Sequence, residues 1–252
     1  TLNDVGIDSI PGVLDSKLAD MVADALATDA VKAANVSTSA LVKGIVNAYG
    51  AIALLANSQG DKPLNEQPQA VTYKLIGVSG FDDPSSAASI QKAKLLSDVI
   101  DRKALTDIDT VLEIQALAEA ASAVLANAAD IGTVSLAQLK LLGFDVTAEN
   151  LTDVTTAITE SPNDGSKVDT FLALSGVINS KLRAVDKAVA LIASFADQNT
   201  VSQPTPTGKY QGTEPIAQTY LDVGVGGPVS DKEVQAFNDA LATSQVTYGR
   251  VD

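Results

Sequence analysis

The chain of 252 residues has no cysteine, no histidine and no tryptophan, and a single methionine. Without Cys there is no disulfide and no thiolate nucleophile. Without His there is no Ser-His-Asp triad and no His-bearing zinc site. Aromatic residues make up only 4% of the chain, so its 46% hydrophobic fraction is mostly aliphatic side chains and Ala. Such residues favour helices and close packing, but each buries less area than an aromatic ring. Basic residues are also scarce: 17 Lys and Arg stand against 31 Asp and Glu, a formal charge of −14. That balance argues against nucleic acid or an anionic membrane surface as partner, since both require Lys and Arg. The longest stretch free of charge, Gly44 to Gly60, contains Asn47, Asn57, Ser58 and Gln59. It is too short and too polar for a membrane span, so no membrane insertion is expected. No basic segment followed by an apolar run opens the sequence, so no signal peptide is expected there.

What is present is an internal repeat. Four phrases place an apolar residue, a Gly and a second apolar residue in the same order: Leu2 to Ile7, Tyr73 to Val78, Leu139 to Phe144 and Leu221 to Val225. Their glycines are Gly6, Gly77, Gly143 and Gly224. A short helix that ends in a left-handed residue explains a recurring Gly, because a Cβ is penalised in that conformation. After each phrase comes a middle helix, expected near Asp15 to Ala27, Ser85 to Asp101, Ala148 to Thr159 and Asp231 to Ala242. Ser230 and Glu233 form a capping box at the start of the last of these, as do Thr110 and Glu113 before a longer helix.

Longer helices of about twenty to twenty-eight residues follow three of the phrases, judged by apolar residues stepping by three or four. Leu41, Ile45, Tyr49, Ile52 and Leu55 mark the first, and Ile114, Leu117, Ala121, Leu125 and Ala128 the second. Phe171, Leu174, Ile178, Leu182, Val185, Val189, Ile192 and Phe195 mark the third. Loops of unequal length join the copies, and Gln198 to Pro215, with Pro204, Pro206 and Pro215, is the expected mobile excursion. No alternating strand pattern is sustained. The fold expected is therefore all-α, in tandem units resembling three-helix bundles: short helix, Gly turn, middle helix, long helix. The copies cover 1–58 (partial), 59–129, 130–197 and 198–252 (partial, with a Pro-rich lead-in). Because Thr1 falls directly on a copy of the phrase, the chain reads as a fragment or processed piece of something longer.

Carboxylates are the only abundant reactive groups. Asp15, Asp109, Asp169 and Asp231 stand at expected helix starts, where capping and the helix dipole account for them. Asp82-Asp83, Asp107 with Asp109, and Asn163-Asp164 followed by Asp169 offer oxygen ligands for calcium, but none has the spacing of a dedicated loop, and turn formation is expected. Gly224-Val225-Gly226-Gly227 lacks the strand and spacing of a dinucleotide fingerprint. Asn35-Val36-Ser37 and Asn150-Leu151-Thr152 fit a glycosylation acceptor, a pattern common by chance. Tyr49, Tyr73, Phe171, Phe195, Tyr220 and Phe237 are assigned to core packing. No catalytic residue, cofactor site or metal site is assigned.

Tyr73 to Ser79, a helix ending in Tyr-x-x-Ile-Gly-Val-Ser, resembles the small three-helix albumin-binding (GA-like) modules of bacterial surface proteins. Leu139 to Ala157, with Val146 to Leu151 inside it, and Val168 to Leu172 resemble repeats of very large secreted bacterial adhesins. The resemblance implies a secreted, cell-surface or biofilm-matrix protein whose modules act as spacers or protein-binding units. In albumin binders the second helix makes the contact. Here Gly80, Phe81, Asp82, Asp83 and Pro84 stand where that helix should have begun, so no binding residue is carried over.

The function expected is a non-enzymatic structural or adhesive segment, with the chain itself or another protein as partner and a possible rod or filament as product. Val251-Asp252 echoes Ile108-Asp109 and Val168-Asp169, which would permit head-to-tail continuation between copies. The alternative is a module that recognises a host or matrix protein through a helix face. An enzyme would instead need a deep pocket of Asp or Glu with raised pKa values.

Overall fold

Hydroxyl side chains start most of the helices, and this sets the frame for everything else. Thr38, Ser86, Thr110, Ser135, Thr170 and Ser230 each accept a hydrogen bond from the backbone N–H three residues on. Each thereby satisfies one of the donors that a helix N-terminus leaves without an intrahelical partner. Thr110–Glu113 and Ser230–Glu233 form the expected capping boxes, and Ser135–Gln138 adds another. A computed structural model describes residues 15–28, 31, 38–56, 62–162, 164–199 and 213–242. The first Gly phrase with Gly6, the Asn35 sequon, most of the Gln198 to Pro215 loop, Asn163 and Val251-Asp252 lie outside the described residues.

The described chain is all-α, with ten α-helices and no strand. In order they are α1 (Asp15–Ala27), α2 (Ser39–Ala56), α3 (Ala70–Leu75), α4 (Ala87–Ile100) and α5 (Val111–Ala128). Then come α6 (Leu136–Leu141), α7 (Leu151–Thr159), α8 (Phe171–Asn199), α9 (Ala217–Asp222) and α10 (Asp231–Leu241). The short helices α3, α6 and α9 have six residues each. A middle helix follows each of them (α4, α7, α10), and α1 precedes the long helix α2 as α4 precedes α5 and α7 precedes α8.

The three short helices end in one way. Gly77, Gly143 and Gly224 have φ of 89°, 98° and 91°. Their N–H groups donate to the carbonyls of Lys74, Lys140 and Leu221 at 3.1, 3.0 and 3.0 Å. The next residues, Val78, Phe144 and Val225, donate across the turn to Tyr73, Leu139 and Tyr220, each at 3.0 Å. This double closure over a left-handed residue satisfies two carbonyls that the helix end would leave open. The surroundings beyond the turn differ. A Cβ on Gly77 would collide with the Thr28 hydroxyl, one on Gly143 would meet Phe171 at 3.7 Å, and one on Gly224 would meet nothing.

Two expectations on the long helices change. α2 and α5 have 18 residues, while α8 has 29. α5 stops where Asp130 turns left-handed (φ 56°), with Asp130 N–H on Asn127 and Ile131 N–H on Ala126. Most of the expected stripe is buried, including Ile45, Tyr49, Ile52, Ile114, Leu117, Leu174, Ile178, Ile192 and Phe195. Leu41 and Val189 are exposed, however. Leu41 lies in the first turn of α2, and no middle helix other than α1 comes before it in the described chain. α7 begins at Leu151, later than expected, because Asn150 holds the preceding turn by accepting from Thr147 N–H at 2.9 Å.

Packing groups the chain into two compact units, Thr1–Val177 and Ile178–Asp252, and the division falls inside α8. In the first unit α2 packs on α1, α3 and α4, while α5 packs on α1, α4, α6 and α7. α3 and α4 also pack on each other, and α4 touches both α2 and α5. In the second unit α9 packs on α10. α5 is the one described helix long and apolar enough to cross a membrane, and half of it is buried against its neighbours.

Gly77→Ala and Gly143→Ala should each lose about 1–2 kcal/mol from the left-handed backbone. Gly77→Ala should lose more, because its methyl also displaces Thr28. Urea denaturation of the two variants checks this, and equal losses would show that the Thr28 contact is without consequence.

Candidate functional site

The short helix is tied to its middle helix by the same three-part link in both units. The Tyr73 hydroxyl shares a hydrogen bond with Ser97 Oγ of α4 (2.6 Å), and Ser97 Oγ donates to the Pro68 carbonyl at 2.7 Å. The Tyr220 hydroxyl donates to Asn238 Oδ1 of α10, and Asn238 Nδ2 donates to the Pro215 carbonyl at 3.1 Å. Ser97 and Asn238 are buried, so each link is a satisfied polar group inside an apolar core. Tyr73 stacks on Phe81 at 5.5 Å and Tyr220 tilts against Phe237 at 4.9 Å, as core packing required. α6 lacks the link: Leu139 takes the Tyr position and Val134 the Pro position. Asn127 of α5 bridges there instead, accepting from Val134 N–H at 3.4 Å and donating to the Thr155 carbonyl at 3.3 Å.

A second device joins successive copies. Asp24 of α1 accepts the N–H of Val111, the first residue of α5, at 2.5 Å. Asp98 of α4 accepts the N–H of Phe171, the first residue of α8, at 2.7 Å. In both cases a helix of middle length places a carboxylate on the start of a longer helix far along the chain. The charge-assisted bond and the positive end of the helix dipole favour this placement. Around Asp98 the contact is reinforced. Arg102 lies 3.7 Å from its carboxylate and 4.6 Å from the Phe171 ring, which stacks on Phe144 at 4.7 Å. Lys94 reaches Asp169 at 2.8 Å, two residues before the same helix start. Asp169 therefore serves an ion pair between copies, not a cap within its own helix.

The acidic loops behave as turns. Asp83 Oδ1 accepts from Ser85 N–H (3.0 Å) and Ser85 Oγ (2.6 Å), and Asp164 Oδ1 accepts from Ser166 N–H (2.9 Å). These bonds hold both carboxyls below their ordinary range, as Ser230 does for Glu233 and Thr147 for Glu149. Among the described residues no three carboxylates gather where they could hold a metal. Burial lowers the pKa of Lys92. It donates to the Gly80 carbonyl, lies 3.9 Å over the Phe81 ring, and lines a cleft of about 300 Å³ between α4, α5 and the Asp164–Gly165 turn. Its role there is to fasten the Gly80–Phe81 loop to α4.

Burial also keeps tyrosines protonated. The hydroxyls of Tyr49 and Tyr73 are held far above the ordinary phenol range, and Tyr220 is pushed up to about 12. For Tyr49 the carboxylates of Asp24, Glu113 and Asp109 add to the effect of burial. The four glycines were the only site residues assigned from sequence. Gly77, Gly143 and Gly224 are brought into one conformation but into no common site, and Gly6 lies outside the described residues. Asp24, Asp98, Ser97 and Asn238 were missed. One signal was available for Ser97 and Asn238: Pro68-x-Ala70-x-Thr72-Tyr73, which they bond, matches Pro215-x-Ala217-x-Thr219-Tyr220.

No protein-family model matches the chain, and no curated protein or solved structure matches it either.

Asp98→Ala should cost about 1–3 kcal/mol, because it strands the Phe171 N–H and Arg102 together. Asp98→Asn keeps an acceptor and should retain most of the stability in thermal or urea melts. Neutral Tyr49 and Tyr73 contribute stability that is complete below the unfolded phenol pKa of about 10 and is lost as pH rises above it. Their ionisation, followed by tyrosinate absorbance, should coincide with loss of helix by circular dichroism. Full tyrosinate formation with the helices intact would contradict the burial described here.

Proposed function

We propose that the chain is a non-enzymatic structural or adhesive repeat segment of a bacterial extracellular or cell-surface protein, able to associate with further copies of itself. One observation carries this reading. The contact that joins consecutive copies inside the chain, a middle-helix carboxylate on the first N–H of the next long helix, occurs twice. A contact that recurs along a chain is one that an array can extend without new chemistry. The charge of −14 limits nonspecific clumping, so association would depend on such specific contacts. The shifted carboxyls among the described residues are all shifted downward, which supports a role in turns and caps over acid–base work.

A second reading has an observation of its own. Leu112 and Leu172 occupy the second position of α5 and α8 and are 78% and 76% exposed. Apolar residues displayed at matching places on two long helices suit recognition of a host or matrix protein through a helix face.

Sedimentation velocity and small-angle scattering over a concentration series separate the two. Self-association into elongated species at near-neutral pH supports the first reading, and a strictly monomeric chain at every concentration removes it. Under the second reading the chain stays monomeric, and Leu112→Ser with Leu172→Ser abolishes capture of a serum or matrix protein.

A further inference from the structure

Lys92, in the second turn of α4, is a buried cation that the protein leaves without a counter-charge. The residue is only 7% exposed. Its ammonium carries three N–H groups. One donates to the Gly80 carbonyl, and the Phe81 ring lies 3.9 Å away. Lys62, Lys94 and Arg102 each pair with a carboxylate, but no carboxylate of the described residues stands within ion-pairing distance of Lys92. Asp82 acts on it only from farther off. Withdrawing an ammonium from water is strongly unfavourable unless an anion or further acceptors compensate it. Fastening the Gly80–Phe81 loop therefore leaves part of this charge unexplained.

The same ammonium stands at one end of the cleft of about 300 Å³ between α4, α5 and the Asp164–Gly165 turn. Gly80 and Lys92 both line it, and Nζ is held at Gly80. Gly80 is left-handed (φ 77°), and a Cβ there would lie 2.6 Å from Nζ, so its lack of a side chain keeps the head group in place. Beyond the charge the wall is apolar, formed by Ala88, Leu125, Ala126, Ala129 and Ile131. Leu125 belongs to the stripe expected to be buried on α5, yet it is only half-buried, and Ile131 is 81% exposed. The Asp164–Gly165 wall is fixed. Gln91 donates to the Asp164 carbonyl, and a Cβ on Gly165 would meet Leu125 at 3.1 Å and Gln91 at 3.3 Å. A cleft of this volume lies at the small end of the range that ligand sites occupy.

We propose that this cleft binds a small aliphatic monocarboxylate, with its carboxylate on Lys92 Nζ and its chain along Leu125, Ala126 and Ile131. The carboxylate supplies the missing counter-charge and accepts an N–H that the Gly80 carbonyl does not use. Such a charge-assisted bond is strongest where water is excluded. The chain covers apolar side chains that α5 leaves open. Lys92 is the one cation lining the cleft, and Asp164 lines it too, so a phosphate or a dicarboxylate would bring charge with no partner. The inference goes beyond the structural or adhesive reading and is independent of it, since a chain that never associates can still hold the acid.

The test is a titration of the whole chain, followed by amide chemical shifts, with butyrate, hexanoate, octanoate, adipate and the neutral 1-hexanol. Saturable shifts should centre on Gly80, Ser122, Leu125 and Ile131, with hexanoate bound roughly tenfold or more tightly than 1-hexanol, the range of one charge-assisted hydrogen bond. Adipate should bind more weakly than hexanoate. Lys92→Gln should bring hexanoate down to the level of 1-hexanol and leave 1-hexanol unchanged. Ala88→Phe fills the cleft from an exposed wall position and should block both, with Lys92 intact. The proposal is overturned if none of the three monocarboxylates gives saturable shifts at these amides. It is equally overturned if hexanoate and 1-hexanol bind alike to the wild-type chain, or if Lys92→Gln binds hexanoate as tightly as wild type. Should Lys92→Gln lose its helix content, the wild-type difference between hexanoate and 1-hexanol, together with Ala88→Phe, decides.

Discussion

A hydrogen bond that crosses a left-handed glycine is the constraint on which the short helices depend. A helix of six residues has too few internal bonds to hold itself in water. α3, α6 and α9 persist because the residue after the glycine donates back to the carbonyl of Tyr73, Leu139 or Tyr220, closing the last turn. The same bend fixes where the chain leaves the helix and so where the middle helix starts. In the first and last of these three copies the closing residue is a tyrosine, and its hydroxyl then reaches the middle helix through Ser97 or Asn238. Backbone closure and side-chain link thus share one residue. In the copy with Leu139 the link is absent, and the amide side chain of Asn127 ties the loop from the neighbouring long helix.

The carboxylates of Asp24 and Asp98 operate one level up. A helix N-terminus leaves N–H groups without partners, and the threonine cap satisfies only some of them. Each aspartate supplies the acceptor for the first N–H of a long helix that belongs to the following copy. Local capping thereby becomes a long-range tie between segments far apart in sequence. This tie explains why the first unit packs as one body while its pattern repeats. The packing is continuous there, with α2 against α3 and α4, and α5 against α6 and α7.

The helices themselves were largely legible in the sequence. Apolar spacing marked α1 and α10 at or within one residue of their ends, and the glycines marked the ends of three short helices, because both signals are local. The capping boxes at Thr110 and Ser230 were legible for the same reason. What escaped was every interaction between distant residues. Asp169 reads as a cap because it precedes a helix, yet it pairs with Lys94 on another helix. Leu41 reads as core from its spacing, yet it lies exposed in the first turn of its helix. Grouping the copies into two packed units depends on which faces meet, and periodicity within one helix says nothing about the partner helix. The expected functions remain proposals, because short apolar phrases specify a shape and not a ligand.

Native-state hydrogen exchange tests the repeated turn most directly. The amides of Val78, Phe144 and Val225 donate across their glycines, so all three should exchange far more slowly than the neighbouring loop amides. Fast exchange at these positions, or protection at one turn and not the others, would contradict a single building block used in succession.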